Sequence, residues 1–224
     1  MDNVTFITTN RGRDELVQGL LENLAKHYKK GYKVIVVTQD DDKSFKRGQL
    51  FNIGFLHSDT DLLVLIDNDI RLFYPIPISV DKNPVVPFKS LVQIDKDFKE
   101  LSIVQHPFGY GGMNIFTREQ FIISCGFSNL FFGWGGEDNC IHERFKFVKT
   151  NNRVGHISHE KGYCDPKRFD TWRTHEIRKK FDDGYAQTVF TATTKQKDNI
   201  KYVNVTSIGV PDNFKYKEWL QDEK

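Results

Sequence analysis

Three short stretches of this 224-residue chain concentrate side chains able to do chemistry. The first is Asp67-Asn68-Asp69, directly after the apolar run Leu-Leu-Val-Leu-Ile at 62–66. Two carboxylates so close repel unless something positive lies between them, and a divalent metal carrying a phosphate meets that need. A solvated turn with an Asn-Asp cap uses the same residues. The second is Phe131-Phe132-Gly133-Trp134-Gly135-Gly136-Glu137-Asp138. Glycines around a tryptophan let the backbone approach a ligand closely and leave the indole face available to a sugar or base ring. Glu137 and Asp138 then fall at a helix N-terminus, where the helix dipole is expected to hold both ionised, ready to accept a proton or a hydroxyl hydrogen bond. An acidic cap beside a glycine turn needs far less than this string supplies. The third is His156-Ile157-Ser158-His159. An i, i+3 histidine pair in a strand or loop can converge on one ion, and imidazole suits manganese, zinc or iron. Two surface histidines in a polar loop are equally ordinary. Joined to the upstream aspartates, they make a mixed nitrogen and oxygen site with room for a phosphate.

The elements that must position these groups follow from periodicity. Residues 4–8 and 32–38 read as buried strands, and an apolar run without alternation at 61–70 reads as a strand covered on both faces. Between them, Leu16, Val17, Leu20, Leu21 and Leu24 recur at helical spacing over 14–28, and 48–56 is a second helical stretch. Strands alternating with helices predict an α/β fold with a parallel sheet, and in such sheets ligands bind beyond the carboxyl ends of the strands. Asp67 to Asp69 stand at such an end. The stretch 74–100 holds four of the seven prolines and reads as irregular, with a short strand near 85–87. A strand is expected over 110–117, then a helix capped by Thr117 with Gln120 and ending at Gly126. Further helices are expected at about 137–147 and 173–183, and late strands at about 186–191 and 201–208. No internal repeat or linker divides the chain, which predicts a single domain over residues 1–224.

Composition excludes several classes. With 32 basic and 30 acidic side chains the net charge is +2, which argues against nucleic acid as a partner. No run approaches the roughly 18–20 apolar residues of a membrane span, so no integral membrane segment is expected. The start of the sequence has neither a basic leader nor a small-residue cleavage site, and a cytoplasmic location, compatible with peripheral association at a membrane, is expected. Aromatic content (19 Phe, 8 Tyr, 3 Trp) is ample for a core and argues against disorder. Cys125, Cys140 and Cys164 form no CxxC pair and read as reduced thiols. Two sequons, beginning at Asn3 and Asn204, matter only in a secretory compartment.

Taken in order, the motifs resemble the β-1,4-galactosyltransferase family of GT-A glycosyltransferases. Phe45-Lys46-Arg47-Gly48-Gln49-Leu50-Phe51-Asn52-Ile53-Gly54-Phe55 matches the family pattern F-x-R-x-x-L-x-N-x-G-F, and Asp67-Asn68-Asp69 stands where the family has its metal-binding D-x-D. Tyr110-Gly111-Gly112-Met113, then Thr117 to Phe121 and Gly126-Phe127, match the F-G-G-V, K-x-Q-F and G-F-P-N stretches. Gly133 to Asp138 carries the family's W-G-G-E-D, and Arg168-Phe169-Asp170 and the segment 206–209 also have counterparts. The similarity is weakest over 74–104. Three positions depart from the family: Asn139 replaces a frequent aspartate, His156 stands where many animal members have methionine, and Gly109 stands where a bulky tyrosine limits the galactose enzymes to an unsubstituted C2 hydroxyl.

The resemblance implies a GT-A type single domain, a Rossmann-like mostly parallel sheet flanked by helices. It implies a metal-dependent inverting transfer of galactose or N-acetylgalactosamine from a UDP-sugar to a hydroxyl of an acceptor saccharide, forming a β-1,4 linkage. Residue by residue, it implies that Asp138 is the general base and that Asp69, His156 and His159 bind manganese, with magnesium as a substitute. Arg11, Arg13, Phe45, Arg47, Asp67, Gly112 and Trp134 are implied to bind the donor, and Glu137, Asn139 and Trp134 the acceptor. Glycine at 109 leaves space that favours UDP-N-acetylgalactosamine alongside UDP-galactose. A lipid-linked acceptor suits an enzyme that works at a membrane face. Two competing functions are a sugar- or nucleotide-binding module without catalysis and a metal-dependent phosphohydrolase. The second leaves Trp134 and its glycines unexplained.

Overall fold

A computed structural model describes residues 4–95, 97–105, 111–133, 136–157 and 182–216. The three apolar runs form strands β1 (Val4–Asn10), β2 (Tyr32–Gln39) and β3 (Leu62–Ile66), linked by helices α1 (Asp14–His27) and α2 (Arg47–Leu56). They lie parallel with β1 in the middle, Val4 standing opposite both Tyr32 and Leu62. Parallel neighbours need a crossover between them, and the two leucine-rich helices are those crossovers. The chain continues through β4 (Ile70–Leu72), β5 (Val85–Val86), β6 (Ser90–Ile94), β7 (Glu100–Gln105), β8 (Met113–Thr117), α3 (Arg118–Ile123), α4 (Glu137–Arg144), β9 (Val148–Lys149), β10 (Arg153–Ile157), β11 (Val189–Lys197) and β12 (Ile200–Gly209).

Alternation along the central strands builds a core on each face. Val4, Phe6, Val34, Val36, Val64 and Ile66 share one cluster with Val17, Leu20 and Leu24 of α1. Ile7, Ile35, Val37, Leu63 and Leu65 share the other with Leu50, Phe51, Ile53 and Phe55 of α2. Each of these large side chains contributes about 1.5–3 kcal/mol by leaving water. Helix α2 is buried along most of its length because Phe121 and Phe127 cover its outer side, with Phe55 and Phe121 rings 4.6 Å apart. Gly54 permits the contact with the sheet: a Cβ there would stand 2.2 Å from Ile7 Cγ2.

The large sheet has the order β11-β12-β2-β1-β3-β8-β5-β9, and a smaller one has the order β4-β10-β6-β7. Strands β12, β2, β1 and β3 are mutually parallel, giving the expected parallel core, and antiparallel β11 and β8 extend it on either side. Strand β12 pairs along β2 from Ile200 opposite Val34 to Val205 opposite Gln39. The capping box is formed as expected: Gln120 N donates to Thr117 Oγ1 at 3.0 Å and Thr117 N to Gln120 Oε1 at 2.9 Å.

Four elements differ from expectation. The stretch read as irregular contains the half-buried strand β6 and the start of β7, obscured by flanking lysine, aspartate and proline. Helix α4 ends at Arg144 rather than 147, because Phe145 is extended (φ −144°, ψ 149°) and Phe147 packs edge-on against Phe116 at 5.3 Å. Strand β11 runs to Lys197, well beyond 191, since its Thr- and Lys-rich sequence has β-propensity but little apolar pattern. The expected helix at 173–183 lies almost wholly outside the described residues. Cys125 is half-buried, Cys140 is buried on α4, and Cys164 lies outside the described residues. Among the described residues, no helix is long and apolar enough to cross a membrane.

Candidate active site

Strand β3 ends where its apolar run meets Asp67, and the turn after it is fastened from several sides. Asp67 N donates to Gly112 O at 2.8 Å, Ile70 N donates to Asp67 O at 3.1 Å, and the Asn68 side chain donates to Thr9 O at the end of β1 at 3.0 Å. Strand β4 then pairs antiparallel with β10, placing Ile70 opposite His156, and Ile157 N donates to Asp69 O at 2.9 Å. The sequence-distant Asp and His motifs are neighbours because these two short strands pair.

On the other side of the turn, Arg47 at the start of α2 gathers three carboxylates. Its Nε donates to Asp67 Oδ1 at 2.8 Å, and its Nη1 donates to Glu137 Oε1 at 3.0 Å and Asp138 Oδ1 at 2.7 Å. The guanidinium also lies over the Phe51 ring, 4.8 Å from its centroid. Glu137 and Asp138 reach this point because Gly136, with φ 99°, turns the chain directly into α4. The second oxygen of Asp138 faces Gly111, where a Cβ would come within 2.6 Å of Oδ2.

The cluster shifts the protonation of its members. Burial pushes the Glu137 carboxyl up to about 7, and the charge of Asp138 adds to the rise while Arg47 opposes it. The expectation that the helix N-terminus holds Glu137 ionised is therefore corrected: burial outweighs the dipole. Burial likewise pushes Asp67 up to about 6, against the pull of Arg47. Burial by itself would weaken Arg47 as a base, but the charges of Asp138, Asp67 and Glu137 together outweigh it and hold the guanidinium well above its ordinary value.

Asp69 Oδ2 lies 3.5 Å from His156 Nε2. That spacing is close to that of two donors each about 2.0–2.2 Å from one ion, and the carboxylate and imidazole pair suits a borderline divalent cation such as manganese. Among the described residues no three His, Cys, Asp or Glu side chains gather as a metal set, and His159, the third expected ligand, lies outside them.

The structure thus brings Arg47, Asp67, Glu137 and Asp138 together, with Asp69 two residues along the same turn and His156 facing it from β10. Gly112, with φ 96°, lies against the turn through its carbonyl. Phe45 is half-buried at the edge of the α2 core, and its carbonyl accepts from Gly133 N at 2.8 Å. Arg11 turns instead to the loop after β2, where Nη1 donates to the Lys43 carbonyl and Nη2 to the Asp41 carbonyl at 3.5 Å. Arg13 N donates to the Asn10 side chain at 3.1 Å at the start of α1. Asn139 is exposed on α4, and Trp134 and Gly109 lie outside the described residues. Sequence reasoning placed Gly111 in a motif without giving it the role of making room for Asp138, and it missed Arg71, a buried arginine just after the aspartates. The one signal for Arg71 was a charged residue inside the apolar triplet Ile-Arg-Leu.

The sequence and the fold both have counterparts among known proteins. A family model described as the N-terminal domain of galactosyltransferase matches residues 98–165. Human β-1,4-galactosyltransferase 1 is 30% identical over 198 residues, covering 80% of this chain and 48% of the relative. The chain spans about half, or less, of the length of the curated relatives it matches. The catalytic domain of Drosophila β1,4-galactosyltransferase 7, solved with xylobiose, superposes with a TM-score of 0.70 at 18% identity, covering 98% of each chain. A mutant of that enzyme, solved with manganese, UDP-Gal and xylobiose, gives a TM-score of 0.71 at 18% identity over 97% of this chain and 98% of its own. These likenesses establish the GT-A fold. With its fold, its ordered motifs and its relatives in agreement, the chain belongs to the β-1,4-galactosyltransferase family.

Proposed function

We propose that this chain is a metal-dependent inverting glycosyltransferase that moves galactose or N-acetylgalactosamine from a UDP-sugar to a hydroxyl of an acceptor glycan, forming a β-1,4 linkage. The observation that carries this reading is the convergence of Asp67, Glu137 and Asp138 on Arg47, at the carboxyl end of β3 and beside the Asp69–His156 pair. Support comes from the family, and from the Drosophila neighbour solved with manganese, UDP-Gal and xylobiose.

Asp138 is the general base. Its Oδ1 is held by Arg47, while its Oδ2 faces the space that Gly111 leaves open and takes the proton of the acceptor hydroxyl. The acceptor oxygen then attacks the anomeric carbon from the face opposite the nucleotide, and the bond to the diphosphate breaks with its electron pair leaving on UDP. Glu137, its carboxyl pushed up to about 7, is able both to donate to and to accept from an acceptor hydroxyl near neutral pH. Arg47 keeps these carboxylates oriented and offers a positive charge toward the diphosphate. Asp69, His156 and His159 would hold a divalent cation, which when bound supplies electrostatic stabilisation of the charge growing on the departing diphosphate.

The test is a panel of UDP-sugars with manganese and simple or lipid-linked saccharide acceptors, reading UDP release and product linkage by NMR. Acceptor-dependent transfer from UDP-galactose or UDP-N-acetylgalactosamine with inversion is expected. Phosphate release from nucleotides without an acceptor, or binding with no turnover, would overturn the proposal.

A further inference from the structure

A second arginine lies beneath the turn that carries the aspartates. Arg71 on β4 is 2% exposed, in a strand whose three residues are all buried. Its Nη1 donates to the carbonyls of Asn68 at 2.7 Å and Ile70 at 2.8 Å, the residues on either side of Asp69. Its Nη2 donates to the Leu16 carbonyl of α1 at 2.9 Å. The guanidinium reaches α1 through a gap made by one residue: at Gly19 a Cβ would lie 2.5 Å from Nη2 and 3.3 Å from the guanidinium carbon. The carbonyl of Asp69 itself is taken by Ile157 N. Three successive carbonyls around Asp69 are therefore fixed, two by Arg71 and one by the strand that carries His156.

We propose that Arg71, seated on Gly19, is a positioning residue for cation binding: by pinning the carbonyls on both sides of Asp69 to helix α1, it fixes the Asp69 carboxylate opposite His156. This rests on the reading of Asp69 and His156 as cation ligands. A guanidinium is a planar fork that holds the turn carbonyls with one arm, Nη1, and the α1 carbonyl of Leu16 with the other, Nη2, whereas an ammonium is a single point charge. Arg71→Lys therefore keeps the charge and removes the fork. Groups that orient a ligand from behind typically matter 10–100-fold in metal affinity.

The experiment titrates the 224-residue chain with Mn2+ alone, following free Mn2+ by electron paramagnetic resonance at a temperature where each variant is folded. Melting in EDTA is recorded in parallel. Arg71→Lys is expected to weaken Mn2+ binding about 10–100-fold. Gly19→Ala, which leaves Arg71 and the turn chemically intact, is expected to weaken it in the same direction and to add nothing in the Arg71→Lys background, since the atom it strikes is gone. A purely structural role would lower melting in EDTA while leaving the Mn2+ dissociation constant unchanged. Unchanged Mn2+ affinity in Arg71→Lys, or independent addition of the two effects, overturns the proposal. Should Arg71→Lys not fold, Gly19→Ala decides alone, and unchanged Mn2+ affinity in it is equally fatal. An unaltered chain that binds no Mn2+ overturns the cation reading itself, and this inference with it.

Discussion

Two arginines flank one Asp-Asn-Asp turn, and they are used in opposite ways. Arg47 meets side-chain carboxylates, those of Asp67, Glu137 and Asp138, at 2.7–3.0 Å. Arg71 meets backbone carbonyls, those of Asn68, Ile70 and Leu16, at 2.7–2.9 Å. Charges gathered on side chains respond to protons and to charged ligands, because either can replace one partner by another. Carbonyls do not titrate, so the second arginine holds a shape whatever the state of the site. The turn is thus chemically responsive on one side and geometrically fixed on the other.

The contrast breaks most visibly at Asp138. Asp138→Asn should lower turnover about 10²–10⁴-fold while leaving UDP affinity in calorimetry nearly unchanged, and near-normal transfer would remove Asp138 from the role of base. Next in size is the charge cluster itself. Arg47→Met leaves three carboxylates without their shared cation, and breaking such a buried pairing costs about 3–5 kcal/mol, to be read as a fall in Tm of roughly 10 °C. A loss no larger than that of an exposed pair such as Lys33 with Asp59, about 1 kcal/mol or less, would show that the cluster is solvated in solution. Gly111→Ala sharpens the geometry: its methyl group crowds Asp138 Oδ2, and kcat should fall by up to about 10²-fold with melting little altered.

The smallest effect is on pH dependence. The Glu137 carboxyl rises from 4.5 to about 7 on folding, so the folded state binds this proton more tightly. The sign follows by linkage: the contribution to stability is fully present below about 4.5 and is lost as pH rises through about 7. Denaturant melts at pH 5 and pH 8 should show the difference narrowing in Glu137→Gln. An unchanged pH profile in that variant would mean that Glu137 titrates normally.

What was legible in the sequence was what is local. The strands β1, β2 and β3, the helices α1 and α2 and the Thr117–Gln120 box follow from patterns a few residues long, and they appear within a few residues of where they were expected. Asp67, Glu137 and Asp138 were legible as residue types suited to chemistry. Their meeting on Arg47 was not, since those contacts span 20, 90 and 91 residues. Glu137 shows a second limit: position on a helix argued for a charged carboxylate, while burial, which no spacing reveals, argued the other way and won. Arg71 shows a third, because arginine is ordinarily read as solvent-facing, and only the packing against Gly19 explains its seat. Strands β6 and β7 escaped because their polar flanks resemble a loop.

The pairing of β12 with β2 has a consequence in time. Strand β2 presents Val34, Ile35, Val36 and Val37, and its outer edge is closed only by residues 200–205. At about 5–20 residues per second, a ribosome needs on the order of 10–30 s to make the intervening chain. For that interval the nascent protein carries a β-branched apolar edge open to any other strand. The finished molecule leaves a Thr- and Lys-rich strand at that border instead. Yield during expression therefore depends on a late strand remote from the catalytic groups, and lesions in 200–205 should be rescued by slower growth or chaperone supply before any defect in catalysis is seen.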